Sequence, residues 1–417
     1  MKHPKGGLRM KSMKWDLLAL ASIPFIMTLG NSMLIPILPQ ISRELQVSSF
    51  KVSMLITVYA IVAILFIPIA GYLSDRFGRK KVIIPSLIIA AVGGATSAVA
   101  SWLLSDMSAY WIILAGRLLQ GIGASGAFPI VIPLVGDMFD KEEEVSKGLG
   151  IIETSNTFGK VISPILGAAL GMLLWYLPFI SIPVLCIISL LLVIFLVQSP
   201  HKDETNVSLK KFLLGTKDIL KEKGRWIYAI FAVGCICMFI LFGVLFYLSE
   251  ILESKYKLDG IIKGLVLAIP LVVLCLCSYI GGKMIGQKKK IMKWIGFAGM
   301  LLLTVCLVIT GFSSQIVFVI SLFSLCGAGI GLALPCMDAL ITEGIEKDQR
   351  GTITSLYSSM RFIGVSLGPP MVSLLEKSNH WVLFGMMAAV SSVGALVILF
   401  AIKPSEEKDN NHKVRYS

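Results

Sequence analysis

Long apolar runs alternate with short polar connections along nearly the whole of this 417-residue chain. A helix needs about 20 mostly apolar residues to cross a hydrocarbon core of about 30 Å. The runs predict spans at about 15–39, 52–73, 82–104, 110–136, 147–172 and 175–198, then at about 226–249, 260–282, 291–311, 315–341, 351–374 and 380–402. The expected fold is therefore an all-α membrane protein with twelve transmembrane helices in two pseudo-symmetric six-helix bundles. Its expected parts are a first bundle (1–198), a cytoplasmic linker (199–225), a second bundle (226–402) and a cytoplasmic tail (403–417). In the linker, Leu209, Phe212, Leu213, Ile219 and Leu220 are spaced for a short amphipathic helix on the membrane surface, or the segment is a solvated tether. The first apolar run is too long, and too soon followed by others, for a cleaved signal peptide.

An internal repeat supports the two halves. Span 4 has Gly121, Gly123 and then Pro129, and span 10 has Gly327, Gly329 and then Pro335 at the same spacing. Gly159 and Pro164 in span 5 match Gly364 and Pro369 in span 11. Parallel repeats of six spans place a substrate path between the halves.

Composition narrows the class. With 56% hydrophobic and 15% charged residues and a mean hydropathy of +0.83, a soluble chain is excluded. The formal charge of +13 raises the question of nucleic acid, and the position of the bases answers it. Lys and Arg crowd the N-terminal tail, the linker, the C-terminal tail and every second connection, and are sparse in the others. Bases retained on the cytoplasmic side produce this asymmetry, so both termini are expected in the cytoplasm, in a plasma membrane, with no nucleic-acid partner. The eight cysteines fall inside apolar runs and the four histidines in tails or loops, a pattern that supports neither a metal site nor an intramembrane histidine relay. Gly121, Gly123 and Gly126 spell G-x-G-x-x-G, but inside a spanning run, where glycines serve close helix packing and not a dinucleotide. No phosphate-binding G-x-x-x-x-G-K-[ST] occurs, so ATP-driven transport through this chain alone is unsupported and no cofactor is expected.

Polar residues in apolar surroundings are the candidate functional positions. Gly71 to Lys81 sets Asp75 among Arg76, Arg79, Lys80 and Lys81 and between Gly71 and Gly78. Arg117, Lys160 and Arg361 lie deep within spans, where an ionisable group needs a partner or a watery cavity. Glu153, on the same face of span 5 as Lys160, and Asp338 and Glu343 in span 10 are the available acids. Proton carriage and static pairing are both open for Glu153 and Asp338.

Four of these stretches resemble motifs of the major facilitator superfamily, within it the twelve-helix drug:proton antiporters. Gly71 to Lys81 is similar to the loop motif G-x-L-x-D-R-x-G-R-K, and Arg117 to Ala124, which includes Gln120, to R-x-x-Q-G-x-G-A. Gly150, Gly159, Pro164 and Gly167 resemble the helix-packing antiporter motif of span 5, with Ser163 and Ala168 in place of two of its glycines. Leu29-Gly30 to Pro39 resembles the span 1 motif of drug exporters. The resemblance implies export of small amphipathic compounds in exchange for protons, by a monomer in the lipid bilayer, with no enzymatic activity. It further implies a conformational latch of Gly71, Asp75, Gly78 and Arg79, bridged to Asp137 and set against span 11. Arg117 would relay charge between proton and substrate events, in a central cavity with Asn31, Gln120, Glu153, Lys160, Asp338 and Arg361. One departure matters: exporters of cations carry an acid deep in span 1 or span 7, where this chain has Asn31 and Ser32 and no acid. A single anionic or zwitterionic metabolite is therefore the alternative substrate, and a non-transporting sensor a third reading.

Overall fold

The computed structural model describes residues 6–104, 106–139, 142–197, 220–221, 224–285, 289–345, 347–375 and 379–402, with side chains from Trp15 onward except at 106, 142–143, 146, 284–285, 342–343 and 347–350. Most of the linker, including Leu209, Phe212, Leu213 and Ile219, the tail beyond 402 and the side chain of Glu343 lie outside the described residues. Within them every regular element is helical. The first half holds α1 (Gly6–Ser32), a 3₁₀ turn (Ile35–Ile37), α2 (Leu38–Glu44), α3 (Ser49–Phe77), α4 (Arg79–Leu103), α5 (Asp106–Met138), α6 (Glu142–Leu173) and α7 (Leu177–Leu196). The second holds α8 (Arg225–Ser254), α9 (Gly260–Ile285), α10 (Lys289–Thr310), α11 (Ile316–Gly344), α12 (Lys347–Leu375) and α13 (His380–Ala401).

Span 1 runs further than expected, to Glu44, as α1, the turn and α2 together. Pro36 and Pro39 lack the N–H that would continue the α-helical ladder, so the chain tightens to 3₁₀ geometry and restarts. Between α3 and α4, Gly78 sits at φ 102°, which a side chain would strain, and this fixes the sharp reversal at the end of the Gly71–Lys81 stretch.

Among the described residues, ten helical stretches are long and apolar enough to cross a membrane. The two spanning-length helices outside that set are α6 and α12, of 32 and 29 residues. Their lower apolarity comes from the polar side chains they turn inward. Each packs along the first helix of its own half, α6 on α1 and α12 on α8, and also along a helix of the other half, α6 on α9 and α12 on α3. Such helices need little lipid-facing surface.

The sequence repeat reappears as repeated packing. Gly159 of α6 lies against the Phe25 carbonyl of α1, 3.0 Å from where a β-carbon would stand, and its counterpart Gly364 of α12 is closer still to the Cys235 carbonyl of α8. Lysines repeat the theme: Lys80 Nζ donates to the carbonyls of Val197 (2.7 Å) and Ile194 (3.0 Å) at the end of α7, and Lys293 Nζ donates to Leu399 O (2.8 Å) near the end of α13. Both lysines lie at the end of the bundle that carries Gly71–Lys81, here termed the basic end. At the opposite end the halves meet directly, Ser249 Oγ donating to Ile35 O at 2.9 Å.

Candidate functional site

A cavity of about 230 Å³ lies between the halves and extends toward the basic end, where Leu149, Ile341 and Thr354 line it. One face of α6 supplies Glu153, Asn156 and Lys160, three and four residues apart and hence aligned along the helix. From α12 come Tyr357 and Arg361, one turn apart, and from α11 comes Asp338. Arg361 Nη1 stands 3.7 Å from Asp338 Oδ1, and its guanidinium lies 5.6 Å from the Tyr357 ring centre. Across the cavity, Thr28 Oγ1 donates to Asn156 Oδ1 at 2.6 Å, and Asn156 Nδ2 donates to Glu153 Oε1 at 3.1 Å. Lys160 forms no ion pair among the described residues, although it shares the cavity with two carboxylates. Phe128, Phe242 and Phe362 cover much of the remaining wall. The site offers two cations, two carboxylates and aromatic faces, contributed by both halves.

Five of the expected cavity residues, Asn31, Glu153, Lys160, Asp338 and Arg361, line this space. Arg117 and Gln120 do not. Arg117 is fully buried behind the wall, where Nε donates to Leu55 O (2.9 Å), Nη1 to Gln120 Oε1 and Nη2 to Asn31 Oδ1. Its guanidinium also lies 4.5 Å from the centre of the Tyr59 ring. All of these partners are neutral, so Arg117 is separated from the cavity acids by Asn31 and Tyr59, both of which face the cavity. The depth of Arg117 is legible in the sequence; that a packed wall stands in front of it is not.

At the basic end, Asp75 Oδ1 pairs with Arg79 Nη2 at 2.7 Å, and Arg79 Nε reaches Asp137 Oδ2 at 3.2 Å. Arg79 Nη1 also donates to Ser74 Oγ (2.7 Å). Asp75 and Arg79 share a small hollow with Gly351, Thr352 and Ser355 of α12. Because α12 starts at Lys347, the acid faces the second turn of that helix and not its first residues, one turn away from the expected start at Gly351. Gly71 faces Ser355, with ordinary van der Waals room for a β-carbon. In the span 5 motif, Gly159 and Gly167 approach the carbonyls of Phe25 and Met33, and Gly264 of α9 approaches Pro164 O, whereas Gly150 meets no neighbour.

A further cluster, at the opposite end, had no role in the sequence reading. Lys263, in the first turn of α9, is 1% exposed, with Nζ 2.6 Å from Glu253 Oε2. The other oxygen of Glu253 binds Arg43 of α2, in the other half of the molecule. Nearby, Ser49 Oγ donates to Glu250 Oε1 at 3.3 Å, again across the halves. The available signal was two acids in the last turns of an otherwise apolar span and a lysine just inside the next one.

Two helical halves around a shared polar cavity are the architecture of a membrane transporter, and the chain belongs to the Major Facilitator Superfamily, whose family model matches residues 20–369. It is 53% identical over 398 residues to a bacillibactin exporter of Bacillus subtilis (strain 168), covering 95% of this chain and 98% of that one. It is 26% identical over 383 residues to the class C tetracycline resistance protein of Escherichia coli, covering 90% and 93%. The crystal structure of a D-xylose–proton symporter superposes with a TM-score of 0.75 at 13% identity, covering 94% of this chain and 98% of that chain, a likeness of fold. The chain is an efflux transporter of this superfamily, multi-pass in the membrane.

Proposed function

We propose that the protein exports a small amphipathic compound bearing anionic or zwitterionic groups, in exchange for protons, by alternating access of the cavity between its halves. The observation that carries this reading is the cavity itself: Lys160 and Arg361 line it together with Phe128, Phe242 and Phe362, and Lys160 has no ion-pair partner among the described residues. A membrane-embedded cation without a close partner is costly, and an anionic solute relieves that cost. Glu153 and Asp338 are the cavity acids, and either can carry the exchanged proton. Bacillibactin, named for the Bacillus subtilis relative, is the first compound to test. In this reading the basic end and both termini lie in the cytoplasm of a plasma-membrane protein that works as a monomer and draws on the proton gradient without a cofactor.

The test is flux in proteoliposomes under an imposed pH gradient, with anionic and cationic dyes beside bacillibactin. A hydrogen bond to a charged group contributes about 1.5–3 kcal/mol, or roughly tenfold to a hundredfold in affinity. Lys160→Ala and Arg361→Ala should each raise the KM for the anionic solute by at least roughly tenfold while sparing the cationic dye. Equal losses for both dyes would remove the anionic reading.

The Asp75–Arg79–Asp137 set acts in this proposal as a latch that holds α3 against α12 when the basic end closes. Its geometry supports the reading, since the set already stands beside Gly351 and Thr352. Asp75→Asn should leave expression and melting temperature intact and cut flux at least roughly tenfold, because a neutral amide gives up the charge-assisted bond to Arg79. Full flux in that variant would dismiss the latch.

A further inference from the structure

Two asparagines line the cavity, and their hydrogen bonds leave them with different capacities. Asn156 has both ends of its amide engaged: Oδ1 accepts from Thr28 and Nδ2 donates to the two oxygens of Glu153. Asn31 has its Oδ1 taken by Arg117 Nη2, and its Nδ2 donates to no group among the described residues. Arginine has donors and no acceptor, so the Asn31 amide has one allowed orientation, with oxygen toward Arg117 and nitrogen away from it. A flipped amide would oppose N–H to N–H in a buried site. Arg117 itself cannot rotate out of place, because its Nε is bound to Leu55 O, its Nη1 to Gln120, and its face lies over Tyr59.

We propose that Asn31 is a specificity-determining residue whose amide N–H, aimed by Arg117, donates to an anionic or carbonyl oxygen of the transported compound. Arg117 is the positioning residue: it stays behind the wall and acts through Asn31. The site thereby gains a fixed neutral donor from α1 in the same cavity as the cation Lys160 of α6. A neutral donor favours oxygen acceptors without adding charge, so it discriminates against cations by offering them nothing to bind. This inference rests on the cavity being the transport site.

Asn31→Asp tests it, since the substitution is nearly isosteric, keeps an oxygen for Arg117 Nη2, and converts the cavity-facing donor into an acceptor. The measurement is the ratio of dissociation constants for carboxyfluorescein and ethidium in detergent-solubilised protein, together with their fluxes in proteoliposomes. The expected result is a shift of the ratio toward the cation by at least roughly tenfold. Asn31→Ala, which removes the donor without adding charge, should weaken carboxyfluorescein binding by at least roughly threefold and leave ethidium unchanged; it decides the matter alone if the Asp variant does not fold. A ratio within twofold of wild type in the Asp variant, or equal weakening of both dyes in the Ala variant, would overturn the proposal. Wild-type protein that binds both dyes but carries neither under a pH gradient would overturn the export reading, and the binding ratio would still decide the role of Asn31.

Discussion

Glu253→Gln protein is expected to lose at least nine-tenths of its export activity and to spend most of its time open at the end opposite the basic loops. Among the described residues, Glu253 is the acid that pairs with both Arg43 of one half and the buried Lys263 of the other. Removing one partner of a buried pair costs about 3–5 kcal/mol, because the remaining charge is left without compensation. A bias of that size, applied to the closed form of one end, shifts a two-state equilibrium by more than roughly a hundredfold. Spin labels on cysteines introduced at Glu44 and Ser254, both exposed and on different halves, should report a longer and broader distance distribution. Arg43→Ala should do much less, since the Arg43 side chain is 64% exposed and exposed pairs contribute about 0–1 kcal/mol. A Glu253→Leu, Lys263→Met double variant should regain thermal stability and bring the labels back toward the wild-type distance, because the uncompensated charge that favoured opening is gone. An unchanged distance distribution together with wild-type flux in Glu253→Gln would show that the cluster does not govern opening.

Arg117→Lys is expected to reduce flux to less than a tenth of wild type, nearly as far as Arg117→Ala. Lysine keeps the charge but presents it as a point on a flexible stem, and cannot serve Leu55 O, Gln120 Oε1 and Asn31 Oδ1 in one plane. In the alanine variant three buried acceptors lose their donor and a cavity opens beside Tyr59, so a lowered melting temperature accompanies the loss. The lysine variant separates charge from geometry: its flux is measured alongside its melting temperature, and wild-type flux would mean that the positive charge alone is what the site requires.

The functional consequence of the arrangement is a division of labour between the ends of the molecule. At the opposite end, direct contacts between the halves, among them Ser249 with Ile35 and Glu253 with Arg43, hold that side shut. At the basic end, the cavity extends between the halves while the Asp75 set stays assembled on the first half. In the proposed alternating access, the first group of contacts parts as the second engages α12.

How much of this was legible differs from residue to residue. Lys160 and Glu153 were paired by spacing alone, because seven residues make two turns and so return to one helical face. The span 5 and span 11 glycines were matched by the internal repeat, and each proved to lie against a backbone carbonyl of the first helix in its own half. Arg117 was recognisable as a deep charge, but its neutral partners come from Leu55 and Asn31, which lie far from it in the chain. Lys263 was missed because three residues from a polar connection it reads as a loop base.

By itself the sequence determined the class of protein, since the length of apolar runs and the sidedness of bases are local properties that the bilayer reads directly. It also determined the two-fold plan, through glycines whose need for close approach is fixed by backbone geometry. Only the tertiary structure decided which buried charges face the cavity, which are walled off, and which join the halves. Those outcomes depend on hydrogen-bond and ion-pair partners brought together from distant segments, and no local pattern along the chain encodes that proximity.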